Sequence, residues 1–171
     1  MDNLIDKVRA KVVLHGDFTL RSGRKADTYF DVKRAYEDPD LLNCLVDRLY
    51  ELMLGEEATC VVGYGVGGEV LADVMSSRHP NLKLTRVREN LKDHGTGKQI
   101  EVYEPNQSDR VIIPDDVFTS GSSLKRATEI IKPTGARIIR YGVVVNREEG
   151  DPKILSAPLV WLMTARDILN K

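Results

Sequence analysis

The hydrophobic pattern of this chain changes period repeatedly, and that alternation restricts the fold more than any other feature. Short apolar runs, TCVVG at 59–63, KLTRVR at 83–88, VIIP at 111–114 and ARIIRYGVVV at 136–145, read as buried strands. Before and between them, apolar residues recur at helical spacing: Leu4, Ile5, Val8 and Val12 in residues 2–14, and Leu42, Leu45, Val46, Leu49, Leu52 and Met53 in residues 39–54. Helices are also predicted for VGGEVLADVMSS (66–77) and for SLKRATEIIK (123–132), which Pro133 and Gly135 end. Pro39, flanked by Asp38 and Asp40, suits a first helical turn, where its missing N–H is not needed and the carboxylates meet the positive end of the helix dipole. Strand then helix, repeated, predicts an α/β fold: a central, mostly parallel sheet flanked by helices, with ligands beyond the carboxyl ends of the strands. With 171 residues, no internal repeat and no long linker, one domain over 1–171 is expected. The polar stretch EPNQSD (104–109) is expected to be a surface turn.

Charge limits the partners. A net charge of -1 and a pI near 6.3 leave no basic excess for nucleic acid, so any anion site must be local. No apolar run reaches the roughly 18 residues of a membrane span, and MDNLIDKVRAKVV is charged throughout; no membrane contact and a cytoplasmic location are expected. Cys44 and Cys60 form no CxxC or Cys/His ligand pattern and are expected to be reduced core thiols. His15, His79 and Trp161 fall in no motif and are read as structural.

Two loops have the composition to cradle phosphate. In GYGVGG, Gly63, Gly65 and Gly68 satisfy GxGxxG between a strand and a helix, with Glu89 about twenty residues on; this is the dinucleotide-binding pattern, and also what any backbone approaching a ligand needs. The second loop is VIIPDDVFTSGSS (111–123). Thr119, Ser120, Gly121, Ser122 and Ser123 open a helix and offer hydroxyls and unpaired N–H groups to one phosphate. The GK[ST] ending of a nucleoside-triphosphate loop is missing, so no lysine follows to reach a second phosphate. Asp115 and Asp116, expected at the strand's carboxyl end, are acceptors suited to the vicinal hydroxyls of a ribose whose 5-phosphate sits in the cup. The other reading of this segment is an N-cap cluster following a strand.

An apolar strand, two acidic residues and TSGSS resemble the phosphoribosyl diphosphate (PRPP) signature of type I phosphoribosyltransferases. FTLRSGRKADTYFDVKR (18–34) resembles the N-terminal substrate loop of the orotate phosphoribosyltransferases in that family. RENLKDHGTGK (88–98) resembles their mobile catalytic loop, and VVVNREEG (143–150) the strand end carrying their orotate-binding arginine. The resemblance implies the type I fold with a small hood from the N-terminal region. It also implies transfer of phosphoribosyl from PRPP to orotate, giving orotidine 5-monophosphate and diphosphate in pyrimidine synthesis.

Carried over, it makes Lys92, Asp115 and Asp116 catalytic. It assigns Arg21, Val66, Gly67, Arg88, Glu89, Lys92, His94 and the run Val117, Phe118, Thr119, Ser120, Gly121, Ser122 and Ser123 to PRPP, and GYGVGG to the diphosphate. Tyr29, Phe30, Thr119 and Arg147 are assigned to orotate. Mg²⁺ is implied as cofactor, held by PRPP and water with no metal ligand assigned to the protein. A homodimer is implied, its lid of Gly95 and Gly97 shared across subunits. Glu89 stands where members usually have lysine; a carboxylate about 4 Å from a diphosphate oxygen costs on the order of 4 kcal/mol at an effective dielectric of 20. Pro114, inside a predicted central strand, removes a ladder donor. Two other readings are a PRPP-sensing regulator and a transferase for another base; the first lacks a DNA-binding element, and FTLRSG and NREEG point to orotate.

Overall fold

The computed structural model describes residues 2–19, 25–53, 58–89 and 98–169. In chain order they form α1 (Asp2–Val12), β1 (Val13–Thr19), β2 (Lys25–Phe30), α2 (Pro39–Met53), β3 (Cys60–Tyr64), α3 (Gly65–Arg78), β4 (Lys83–Val87), β5 (Ile100–Val102), β6 (Arg110–Phe118), α4 (Ser122–Ile131), β7 (Arg137–Asn146), β8 (Leu159–Thr164) and α5 (Ala165–Leu169). Six strands make one sheet in the order β5-β4-β3-β6-β7-β8, with β5 antiparallel at one edge and the other pairs parallel. Strands β1 and β2 pair antiparallel in a separate two-stranded sheet, which is the N-terminal hood. Arg21, Lys92, His94, Gly95 and Gly97 lie outside the described residues.

Both faces of the sheet are covered, which is why its central strands are continuous apolar runs. The side chains alternate. Cys60 and Val62 pack with Leu124, Ala127 and Ile131 of α4, while Val61 and Ile112 pack with Leu45, Leu49, Leu71 and Met75 of α2 and α3. Each aliphatic side chain buried in this way contributes about 1.5–3 kcal/mol.

Several expectations need correction. The inward stripe of α2 is Leu41, Leu45, Val46, Leu49, Tyr50 and Met53; Leu42 is only half-buried and Leu52 is exposed. Cys44 lies off that stripe and is exposed, so only Cys60 is a core thiol, which burial pushes up to about 11. The first helix stops at Val12, where the chain turns into β1. EPNQSD does form a turn, yet its last residue, Asp109, is 1% exposed.

Strand β6 runs on to Phe118 instead of stopping at Pro114, because β7 stays alongside it as far as Asn146. Strand β3 pairs with β6 only through Cys60↔Val111 and Val61↔Ile112. Pro114 therefore stands where the ladder towards β3 has already ended. Its carbonyl faces α3: a Cβ on Gly68 would lie 2.8 Å from that oxygen. A residue's N–H and C=O point to the same edge of a strand, so the missing amide faces the gap and β7 loses nothing.

That gap positions the site. Strands β3 and β6 are neighbours at the centre of the sheet, and from β3 the chain winds outward through β4 and β5 before returning to β6. This is a topological switch point, where the carboxyl ends of adjacent strands lead into helices on opposite sides and leave a crevice. GYGVGG leaves one of those ends and TSGSS the other.

Candidate active site

Two cavities open at the crevice. The larger, about 990 Å³, lies between the starts of α3 and α4 and is lined by Tyr64, Val66, Arg88, Glu89, Ser122 and Ser123, with Arg86, Glu101 and Arg126 among its further walls. The smaller, about 210 Å³, is lined by Tyr29, Phe30, Lys33, Asp116, Thr119 and Arg147, with Val117 and Val145 behind them. Among the described residues, Val66, Arg88, Glu89, Ser122 and Ser123 line the larger chamber, and Tyr29, Phe30, Asp116, Thr119 and Arg147 line the smaller.

The seam between the chambers is a glycine against a carboxylate. A Cβ on Gly67 would fall 2.4 Å from Cγ of Asp116, so no larger residue fits while Asp116 keeps its position. Gly67→Ala is expected to displace the Asp116 carboxylate and lower kcat/KM about tenfold or more, since a misplacement near 1 Å is enough for such losses. Steady-state kinetics alongside a melting curve checks this; unchanged kinetics would mean that the position of Asp116 is immaterial.

Asp115 lies inside β6, paired with Val143, and is 7% exposed. Its Oδ1 accepts the backbone N–H of Asp116 at 2.9 Å. Burial, and next the neighbouring Asp116 carboxylate, raise its acid well above the usual carboxylate range. Burial beside a second carboxylate thus favours the protonated form of Asp115. Asp116 faces the acceptor chamber and pairs with Lys33, whose Nζ is 3.4 Å from Asp116 Oδ2 and 3.0 Å from Asp31 Oδ1.

In the phosphate loop, Gly121 has φ 76, a left-handed conformation that glycine enters without strain, and α4 begins directly after it. Ser120 is exposed and its hydroxyl donates to that of Ser122 at 3.3 Å. Phe118 points its side chain into the core, while its carbonyl accepts the N–H of Arg147 at 3.0 Å and ties the acceptor arginine to this loop. Beyond β7, the buried Asn146 side chain accepts the Glu148 N–H at 2.9 Å, and Glu148 has φ 58. This turn presents Arg147, whose Nη2 is 2.7 Å from Glu149.

On the opposite wall of the larger cleft, Arg88 is gripped from β5 by Glu101, at 2.8 Å and 2.9 Å through two nitrogens. Arg86 is held likewise by both carboxylate oxygens of Asp73. Lys33, Arg86, Glu101 and Arg126 were missed in the sequence. Lys33 sits directly after the aromatic pair, within a segment already singled out; the others depend on which strands lie side by side. Among the described residues no group of three or more His, Cys, Asp or Glu side chains is arranged to hold a metal ion.

The phosphoribosyl transferase domain family matches residues 40–161. An orotate phosphoribosyltransferase of Thermococcus gammatolerans is 38% identical over 152 residues, spanning 87% of this chain and 79% of its own. The crystal structure of orotate phosphoribosyltransferase from Mycobacterium tuberculosis H37Rv superposes with a TM-score of 0.86 at 26% identity, covering 98% of each chain. That of Aeropyrum pernix orotate phosphoribosyltransferase gives 0.81 at 32% identity, over 98% of this chain and 95% of its own.

Proposed function

The chain belongs to the phosphoribosyltransferase family, and from that premise we propose that it is an orotate phosphoribosyltransferase acting as a single domain in pyrimidine nucleotide synthesis. The observation carrying this reading is the smaller chamber, where an aromatic pair and an arginine fork share Asp116 and Thr119 with the phosphate loop. A ring nitrogen of orotate forms a bond to C1 of PRPP as the bond from C1 to diphosphate breaks, and the nitrogen's proton is lost.

The geometry of the described residues supports the following roles. The N–H groups and hydroxyls of Ser120, Gly121, Ser122 and Ser123 at the start of α4 would hold the 5-phosphate. Asp115 and Asp116, reached from the strand end, would take the ribose hydroxyls. Val66, 71% exposed, and Gly67 bring the start of α3 to the diphosphate, with Arg88 opposite. Arg147 would bind the orotate carboxylate through its planar fork, with Tyr29 and Phe30 against the ring. By their place in the family's motifs, Lys92 and His94 would bind the departing diphosphate and Arg21 would contact the substrates.

The hard oxygen of Asp116 suits Mg²⁺ arriving on the diphosphate, and that ion supplies charge neutralisation to the leaving group. A homodimer sharing the 88–98 segment across subunits is proposed from the resemblance of RENLKDHGTGK to the family's catalytic loop. A cytoplasmic enzyme is in keeping with the finding that, among the described residues, no helix is long and apolar enough to cross a membrane.

Mixing the protein with PRPP, Mg²⁺ and orotate and following orotate's ultraviolet absorbance tests the reading, with adenine, hypoxanthine and uracil as parallel acceptors. Consumption of orotate that requires both PRPP and Mg²⁺ is expected. Silence with every acceptor, from a protein that still binds PRPP, would leave the sensor reading in its place.

A further inference from the structure

We propose that Arg126, on the second turn of α4, is a further diphosphate-binding residue of the larger cleft and the counter-charge that lets Glu89 stand there. The proposal rests on the PRPP-dependent reading above. Three arginines line that cleft, Arg86, Arg88 and Arg126, together with the carboxylates of Glu69, Glu89 and Glu101. They are not equally free to receive an anion.

Arg86 and Arg88 each present two nitrogens to a carboxylate, of Asp73 and Glu101 respectively. An incoming diphosphate must compete with those fork-to-fork pairs. Among the described residues, Arg126 forms an ion pair with Glu129 of its own helix, at 3.8 Å, with both side chains about half exposed. Such an exposed pair in solvent holds a side chain weakly. Of the three, Arg126 can turn to a substrate with the least competition.

Its position suits that use. Arg126 lies four residues after Ser122 and three after Ser123, so it stands over them on one face of α4, and all three line the cleft. Tyr64, which directly precedes α3, lines the same cleft. Burial raises the Tyr64 phenol and the Glu89 carboxylate raises it further, while Arg126 draws it back. Glu89, Tyr64 and Arg126 all line this cleft, so opposite charges share one cavity at the mouth of the loop assigned to the diphosphate. A negative charge in an anion site is tolerable beside a cation that serves both the site and the carboxylate.

Calorimetry on the full chain with Mg²⁺-diphosphate, and in parallel with ribose 5-phosphate, tests this. Arg126→Ala is expected to weaken diphosphate binding about tenfold or more, the usual range for a lost charge-assisted hydrogen bond, and ribose 5-phosphate by less than about twofold. Adding Glu89→Gln to Arg126→Ala is expected to recover much of the loss, which a purely structural role for Arg126 would not produce. Diphosphate affinity within about twofold of the parent, or a loss confined to ribose 5-phosphate, would overturn the assignment. A parent protein that binds neither probe takes down the PRPP reading and this one together. One that binds diphosphate but consumes no orotate removes the acceptor assignment and leaves the role of Arg126 to be decided by the same titrations.

Discussion

Replacing Asp115 by asparagine is expected to lower kcat/KM for PRPP about a hundredfold while making the folded chain more stable near neutral pH. The activity loss follows from replacing a carboxyl oxygen by an amide NH2, which can only donate where a ribose hydroxyl must be accepted, a change in the range of about 1–3 kcal/mol. The stability gain follows from burial. Asp115 is 7% exposed and lies beside Asp116, so its acid is raised well above the unfolded value. A carboxyl that holds its proton more tightly when folded favours folding at low pH. It works against folding as pH rises from the unfolded pKa through the folded one. The amide cannot ionise, so the variant escapes that penalty, and the two melting temperatures should converge on acidification. Melting curves between about pH 4 and 8, with orotate consumption assayed on the same samples, check both halves. A variant less stable at pH 8 would mean that the carboxylate is ionised and well satisfied in the fold. Unchanged turnover would remove Asp115 from the reaction.

Asp109→Ala is expected to cost about 3 kcal/mol of stability and roughly 10 °C in melting temperature, with turnover at permissive temperature unchanged. Asp109 is 1% exposed and accepts from the Thr59 hydroxyl at 2.9 Å, Lys83 Nζ at 3.0 Å, the Tyr103 hydroxyl at 2.8 Å and the Asn106 N–H at 3.0 Å. Burial alone would raise this acid, but Lys83, Tyr103, Asn106 and Thr59 outweigh it and hold it at about 2. The sign is opposite to that of Asp115. A depressed acid contributes stability that is present above its unfolded pKa and is lost as pH falls through the folded one. The parent should therefore lose stability between about pH 4 and 2, a limb that the alanine variant lacks. Thr59, Lys83 and Arg110 mark the beginnings of β3, β4 and β6, the end of the sheet opposite the cleft, which is why turnover should survive. Urea titrations at pH 3 and 7 give the readout; equal stability at pH 7 would mean that the four donors are satisfied equally well by water.

The sequence showed the sheet's centre better than its margins. TCVVG, VIIP and ARIIRYGVVV are legible because strands buried on both faces must be apolar throughout. Strands β1 and β2 were not read as strands, because a half-exposed hairpin with VLHGDFT on one arm carries no period that distinguishes it from a loop. Strand β5, three residues long, is below any pattern, and LVWLMT in β8 is one of the short apolar runs that strand and helix share. The TSGSS turn at the start of α4 was readable because its residues are contiguous, and Arg147 was picked out by the resemblance of VVVNREEG to the family's strand end. The pairing of Arg88 with Glu101 and the approach of Lys33 to Asp116 were not, since they join segments that only the sheet order and the hood bring together.

The seam of Gly67 against Asp116 has an evolutionary side. The smaller chamber is walled by the hood and the ends of β6 and β7, the larger cleft by the starts of α3 and α4 with β4 and β5, and the two have no lining residue in common. If the smaller chamber holds the acceptor as proposed, substitutions around Tyr29, Phe30 and Arg147 are expected to alter which base is accepted while leaving the larger cleft intact. A scaffold divided in this way lets descendants inherit one donor and diverge in acceptor, each change tested by selection on half a site at a time.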